Sequence, residues 1–347
     1  MKQQKIFIAL LLICGGLLSL ALHEPEKFSR TGFAMNTLIS MSVYGDDNKI
    51  LDDAFNLLNK LDKELSMYDL SSDISRINFN AGVKSVKVPN EVVDVIKDSL
   101  RTYELTGGIF NPLIGSVTKL WKINEDDNII PNSESLDAAI KLSDIQNLEI
   151  NENENEIFLK TKGCILDLGG IAKGYASDKI AELFKNSGIK SALIDLGGNI
   201  YVVGKKFEDD SNWNIGVRDP SSPYGTPSLV LSVNDTSVIT SGGYERFKII
   251  DGKKYTHFFN VKTGEAITND LLSVTVITPD GSLADGLATA FMASGYEKSL
   301  EILKNISPEI GVIFIRYINN ELEIITTENL RNSISREKYK ISYIVMD

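Results

Sequence analysis

Apolar side chains at Leu51, Phe55, Leu58, Leu61 and Leu65 recur every three or four residues, the spacing of one helix face. Val92, Val95, Ile96, Leu100 and Tyr103 repeat the pattern, and this second stripe stops at Gly107-Gly108, a pair suited to ending a helix. Both stripes predict helices that pack on a core. From about Glu156 onward short strand-like runs dominate: Ile157-Phe-Leu159, Trp213-Asn-Ile-Gly-Val217, Leu229-Val-Leu-Ser-Val233 and Ser273-Val-Thr-Val-Ile277. A helix from Tyr296 to Lys304 and a strand at Gly311-Val-Ile-Phe-Ile315 close the pattern. The alternation of Asn and Glu from Asn151 to Glu156 reads as a solvated turn. The chain is therefore expected to be α+β, with mixed or antiparallel sheets and flanking helices.

The N-terminus follows a different rule. Lys2 and Lys5 precede an uncharged run from Ile6 to Leu22, and the polar His23-Glu-Pro-Glu-Lys27 follows, the layout of a secretory signal or a membrane anchor. As a helix this run would reach about 25 Å, slightly short of a ~30 Å hydrocarbon core. Export is expected, with residues 1–23 as signal peptide or anchor and 24–347 as the folded domain. Ser19-Leu-Ala21 offers a signal-peptidase site, an uncleaved anchor is the equal alternative, and lipidation at Cys14 ranks third because Ile13 occupies the small-residue position of a lipobox.

Composition narrows the class. With 347 residues, 43% of them hydrophobic, the chain can bury a large core and nears the size at which one domain divides into lobes. A net charge of -11 argues against a nucleic-acid partner, which needs a basic surface. Cys14 lies in the apolar run and Cys164 stands alone beside Ile165 and Leu166, so the folded part forms no internal disulfide and Cys164 reads as core.

Two stretches carry chemistry. Asp167-Leu-Gly-Gly-Ile-Ala-Lys-Gly-Tyr-Ala-Ser-Asp178 runs from a short apolar strand through paired glycines into a helix, an arrangement that suits a phosphate: Gly169 and Gly170 allow close approach, new helix N–H groups point outward, and Lys173 adds positive charge. A tight strand-to-helix turn is the plainer reading. Ser282 to Gly295 reads as a helix with Leu283, Leu287, Ala290 and Phe291 on its apolar side, and with Asp285 and Thr289 four apart on one face. A carboxylate and a hydroxyl so placed suit a hard cation such as Mg²⁺, which takes one or two carboxylates and completes its shell with carbonyls, waters and phosphates. Asp285 as a helix N-cap is the alternative. A phosphate loop and a Mg²⁺ helix together imply a diphosphate substrate.

At these residues the chain resembles the ApbE-type flavin transferases, which use FAD and Mg²⁺ to attach FMN to a protein threonine. The resemblance covers nearly everything after residue 30, through Phe33-Ala-Met-Asn-Thr37, Leu65-Ser-Met-Tyr68, Ser75-Arg-Ile-Asn78, Gly107-Gly-Ile-Phe-Asn-Pro112 and Leu120-Trp121. It continues through the phosphate loop, Ile194-Asp-Leu-Gly-Gly-Asn199, Thr240-Ser-Gly-Gly-Tyr-Glu-Arg246, His257-Phe-Phe-Asn-Val-Lys-Thr-Gly264 and the Asp285 helix. Three positions depart from the family: Asn36 stands where Gly is usual, Asn111 where Asp is common, and Asn260-Val261 where Asp-Pro is usual. Asparagine is the mildest replacement for a glycine, because it enters left-handed conformations readily.

The resemblance implies two lobes of one ApbE-like catalytic domain. It also implies a flavin nucleotide lined by Met35, Tyr68, Ile109, Phe110, Asn111, Asp167, Lys173 and Phe259, and Mg²⁺ held by Asp285, Thr289 and backbone carbonyls near Gly170 and Ala288. Met35, Ile109, Phe110 and Phe259 are equally readable as core. The acceptor hydroxyl would attack the FMN-side phosphorus of FAD and AMP would leave, with Lys173, Asp285 and the cation meeting the phosphoryl charge. His257, the one imidazole outside the N-terminal junction, would take the acceptor proton or would order the loop through Gly264. The implied partner is a threonine-bearing redox protein, exported or part of a membrane complex, which matches an address at the outer face of the cytoplasmic membrane. FAD hydrolysis to FMN and AMP is the alternative from the same site, and a non-catalytic FAD carrier is the alternative of another class. Walker A, Gly-x-Gly-x-x-Gly, His-Glu-x-x-His and Gly-x-Ser-x-Gly patterns are absent. Asp-Leu-Gly-Gly occurs at both Asp167 and Asp195, which hints at related halves. The second copy leads into strand-like Ile200-Tyr-Val-Val203, so Asp195 reads as a turn residue.

Overall fold

A computed structural model describes residues 25–345 except 124, 126, 223, 224 and 320. The expected signal or anchor, with Cys14, Ser19-Leu-Ala21 and His23, lies outside the described residues. Among the described residues no helix is long and apolar enough to cross a membrane.

Nine strands form one large sheet in which spatial order follows chain order. They are β1 (Glu26–Ala34), β2 (Thr37–Gly45), β3 (Ala192–Leu196), β4 (Asn199–Val203), β5 (Thr236–Gly242), β6 (Leu271–Thr278), β7 (Gly311–Ile318), β8 (Glu321–Thr327) and β9 (Ile341–Ile344). Every neighbouring pair is antiparallel except the last, β8 with β9. Alternation along each strand explains why the sheet is covered on both sides. On β7, Val312 and Phe314 face one layer while Ile313 and Ile315 face the other. The first layer consists of helices. The second is a three-stranded sheet of Trp213–Arg218, Pro227–Val233 and Ile334–Glu337, with Trp213, Ile215, Leu229 and Leu231 buried beneath it.

Eight helices are described: α1 (Lys49–Leu65), α2 (Asp73–Phe79), α3 (Asn90–Leu105), α4 (Gly115–Trp121), α5 (Ser133–Leu142), α6 (Ala172–Asn186), α7 (Gly281–Ser294) and α8 (Tyr296–Leu303). The predicted stripe of α1 is buried as expected, at Leu51, Phe55, Leu58, Leu61 and Leu65. That of α3 buries Val92, Val95 and Ile96 but leaves Leu100 and Tyr103 half-buried. Residues Asn151 to Glu156 form the expected turn between strands Leu148–Asn151 and Glu156–Leu159. The α+β expectation therefore holds.

Several elements lie beyond the predicted pattern. The chain does not close at Ile315: β7 runs to Ile318 and three further strands follow, β8, Ile334–Glu337 and β9. Strands β1 and β2 have no long apolar run: β1 is an edge strand with mostly exposed side chains, and β2, paired on both sides, buries only alternate residues up to Val43, namely Ile39, Met41 and Val43. The expected apolar strand before the phosphate loop is also absent as a strand. Cys164 to Leu168 joins no ladder. At its centre the backbone of Leu166 is met by Asn78, whose Oδ1 accepts from Leu166 N at 2.7 Å while its Nδ2 donates to Leu166 O at 3.0 Å. An asparagine side chain thus stands in for a neighbouring strand, since buried backbone groups need partners. Cys164 is fully buried, as expected of core, and burial pushes its thiol up.

Candidate active site

The phosphate loop and the α7 helix meet across one helix crossing. Gly174, in the first turn of α6, donates its N–H to Asp285 Oδ2 at 2.9 Å, and Asp285 is only 3% exposed. One turn further along, Thr289 Oγ1 donates to the carbonyl of Gly170 at 3.2 Å. The approach needs glycine at both places. A Cβ on Gly174 would lie 2.1 Å from the carbonyl oxygen of Gly281, and one on Gly170 would lie 3.0 Å from Thr289 Cγ2 and 3.2 Å from the Phe110 ring. Asp285 is not a cap: α7 starts at Gly281, and Asp280 fills the N-cap role by accepting from Leu283 N.

This crossing brings together a carboxylate, a hydroxyl and a carbonyl, all hard oxygen donors. No group of three or more His, Cys, Asp or Glu suited to a metal exists among the described residues. A soft or borderline metal is poorly served here, whereas a small hard cation that keeps waters and phosphate oxygens in its shell fits the set. Ala288, fully buried in α7, is Thr289's chain neighbour.

The loop itself differs from expectation in its donors. The N–H of Gly169 goes to Asp167 Oδ1, those of Ile171 and Ala172 go to the Leu168 carbonyl, and that of Gly174 goes to Asp285. Three of these N–H groups are taken up within the turn and the fourth by Asp285, so these four do not point outward to a phosphate. Lys173, half-buried in the first turn of α6, is left as the loop's main source of positive charge. Asp167 is held from the other side by Thr118 Oγ1 at 2.9 Å, and its N–H donates to the Pro112 carbonyl at 2.8 Å, which ties the loop to the Phe110-Asn111-Pro112 segment.

The remaining expected residues fall around this centre. Phe110 is buried with its ring against Gly170, and half-buried Ile109 packs against the cores on both sides. Tyr68 is 65% exposed and within electrostatic reach of Asp167 and Arg246. Asn111 spends its side chain locally, accepting from Leu113 N at 2.9 Å and donating to the Ser143 carbonyl at 2.8 Å. That donation is one an aspartate could not make. Phe259 is buried and stacks on Trp121 at 6.1 Å, while Trp121 Nε1 donates to the Gly264 carbonyl. Asn260 Oδ1 accepts from Lys262 N and Thr263 N, so the Asn260-Val261 departure keeps its turn.

Met35 and Asn36 form the two-residue turn between β1 and β2, and both have positive φ, 48° and 59°. Asn36 suits that region as expected, while Met35 does not, and its N–H is secured by Asp62 Oδ2 at 2.8 Å. Gly197 and Gly198 make the equivalent turn between β3 and β4, where Asp195 Oδ1 accepts from Gly198 N, the turn role read from sequence. These two turns and the Ser241-to-Arg246 loop share one end of the large sheet, as the registers require.

His257 follows the hairpin strand Lys253–Thr256 and is mostly enclosed. Its Nδ1 lies 3.0 Å from the Arg246 carbonyl. A carbonyl only accepts, so Nδ1 carries the proton and Nε2 keeps its lone pair. Burial, with the charges of Arg246 and Lys173 adding to it, brings the imidazole down to about 4 against the opposing pull of that hydrogen bond. It is neutral at pH 7, with one nitrogen ordering the loop and the other able to accept a proton. Thr118, Asn78 and Arg246 had no assigned role in the sequence. Asn78 and Arg246 each end a motif of the resemblance, Ser75-Arg-Ile-Asn78 and Thr240 to Arg246, whereas nothing in the sequence marks Thr118.

Comparisons with known proteins agree on one family. The ApbE family model matches residues 35–314. A FAD:protein FMN transferase of Treponema pallidum is 34% identical over 319 residues, 87% of this chain and 86% of that protein. A FAD:protein FMN transferase of Klebsiella pneumoniae is 29% identical, covering 92% and 98%. Among solved structures, the flavinyl transferase ApbE of Pseudomonas stutzeri in its apo form superposes with a TM-score of 0.80 at 25% identity, over 91% of this chain and 99% of that one.

Proposed function

The chain belongs to the ApbE family, and from that premise we propose that it transfers FMN from FAD to a threonine hydroxyl of an exported or membrane-bound redox protein, with Mg²⁺ present and AMP released. The observation that carries this reading is the α6–α7 crossing, where Thr289 Oγ1 sits 3.2 Å from the Gly170 carbonyl beside the buried Asp285. Relatives named FAD:protein FMN transferase support it, since they align over most of their own length.

Asp285, Thr289, the Gly170 carbonyl and the adjacent Ala288 segment would hold Mg²⁺, which when bound neutralises diphosphate charge. Lys173 faces the same phosphates and steadies charge on the leaving side as the bond to AMP loosens, the electrostatic work that dominates phosphoryl transfer. Tyr68, Met35, Ile109 and Phe110 supply the apolar and aromatic surface for the flavin, and Asp167, Asn111 and Phe259 shape the loops behind it. His257 Nε2 takes the proton of the acceptor hydroxyl as its oxygen bonds to the FMN-side phosphorus. The apolar N-terminal segment delivers the enzyme to the outer face of the cytoplasmic membrane, where such acceptors reside.

The test incubates full-length protein with FAD and Mg²⁺, with and without a threonine-bearing acceptor domain, and follows AMP and acceptor mass together. AMP that accumulates in step with a flavinylated acceptor is the expected result. AMP with free FMN and no adduct would instead establish a hydrolase, and intact bound FAD a carrier. His257→Gln should lower transfer about 100-fold or more, the usual scale of general-base loss, with FAD binding retained. Undiminished transfer would remove His257 from the proton step.

A further inference from the structure

The two contacts at the helix crossing belong to a longer series. Gly170, Gly174 and Asp178 are spaced by four along α6 and the turn before it, and Gly281, Asp285 and Thr289 are spaced by four along α7. The helices run antiparallel, so the positions pair in reverse: Gly170 with Thr289, Gly174 with Asp285, and Asp178 with Gly281. At the third rung Asp178 Oδ1 accepts from Gly281 N at 2.8 Å and Oδ2 accepts from Ser282 N at 2.8 Å. One carboxylate thus grips the first two N–H groups of α7, which have no partner within the helix. The grip leaves no slack. A Cβ on Gly281 would lie 2.6 Å from Asp178 Oδ1 and 2.8 Å from Ser177 Oγ.

We propose, resting on the metal reading of the Asp285 site, that Asp178 is a positioning residue. By fixing the axial register of α7 against α6, it sets Asp285 and Thr289 opposite Gly174 and Gly170. The first two rungs offer oxygens to a cation and the third offers none, so Asp178 acts only through the other two. A carboxylate suits the task because it accepts two hydrogen bonds at once, and the positive end of the α7 dipole favours it. Its neighbours from each side are Asp98 and Arg101 of α3, Asp280 at the head of α7 and Tyr201 of β4. Asp98 accepts from Ser282 Oγ, and Arg101 pairs with Asp280. These brace the same helix end but leave its first two N–H groups to Asp178.

The test titrates Mn²⁺, as a paramagnetic probe, into full-length wild-type and variant protein and reads free Mn²⁺ by electron paramagnetic resonance. Asp178→Ala should weaken binding tenfold or more, the scale reported for lost outer-shell support. Asp178→Asn, which keeps one acceptor, should fall between. Leu231→Ala, buried under the small sheet on the far face, serves as a control for general destabilisation and should bind as wild type does. A folded Asp178→Ala protein that binds within twofold of wild type overturns the proposal. If that variant does not fold, Asp178→Asn decides, and binding equal to wild type overturns it equally. A wild-type protein that binds no Mn²⁺ fells the metal reading itself, and the proposal with it, an outcome distinct from the first.

Discussion

Gly170 shows how little room a single residue has in this site. Its absent side chain is what lets Thr289 and Phe110 close on the loop, so Gly170→Ala must push Thr289 aside by a few tenths of an ångström. We expect that substitution to lower Mn²⁺ affinity about tenfold with little loss of melting temperature, measured by the same titration and by calorimetry. Asn36→Gly makes the opposite case. At φ 59° the asparagine carries mild strain that glycine lacks, so the variant should be neutral or more stable by up to about 1 kcal/mol in urea unfolding. His257 sets an acid limit. Its folded value, about 4, lies below the ordinary 6.5, so the unfolded chain binds more protons between these values. The contribution of neutral His257 is therefore complete above pH 6.5 and lost as pH falls toward 4. In His257→Gln the stability curve should flatten over that window.

At the scale of elements, what matters is how segments without ladders are anchored. Asn78 on α2 serves the backbone of Leu166 in both directions, and Asn78→Ala would strand a donor and an acceptor beside the loop. A loss of about 2 kcal/mol in urea unfolding is expected, the cost of leaving buried polar groups unpaired. The Asp178 clamp has the reverse pH sign to His257. Burial, aided by Asp280 and Asp98 and opposed by the two α7 N–H groups, pushes Asp178 up to about 7 from 3.8. Ionising Asp178 in the folded protein therefore costs stability that grows as pH rises through that interval, a cost of burial separate from the two-acceptor grip that the ionised form makes. Elsewhere the helix-like spacing of Leu51 to Leu65 was legible because its partners lie on one face. The first strand was not, because an edge strand buries too little to show a period; the second is an interior strand whose inward Ile39, Met41 and Val43 alternate with Leu38, Ser40 and Ser42, a short pattern without a continuous apolar run.

At the scale of the whole molecule the large sheet separates two cores, and adjacent residues report on different ones. Phe314 packs on Phe291 of α7 with ring centroids 5.9 Å apart, while Ile313 faces the small sheet. Both truncations, Phe314→Ala and Ile313→Ala, should cost about 3 kcal/mol. Only Phe314→Ala should also weaken Mn²⁺ binding, because only that face carries α7. Equal effects on binding would show that the two layers are mechanically coupled through the sheet.

The sequence by itself determined the α+β class, the two long helices, the turn at Asp195, the buried Cys164, and the pairing of a glycine loop with a carboxylate-hydroxyl helix. These are properties of local spacing and residue chemistry, which a chain carries before it folds. Only the tertiary structure decided that the turn and Asp285 take up the N–H groups of Gly169, Ile171, Ala172 and Gly174, that Asn78 meets the backbone of Leu166, and that Asp178 closes a third rung beyond Asp285 and Thr289. Each of those depends on which buried polar group finds which partner. Residues 88 to 119 positions apart settle that choice in Asn78–Leu166, Asp178–Gly281 and Gly170–Thr289, and no local period records it.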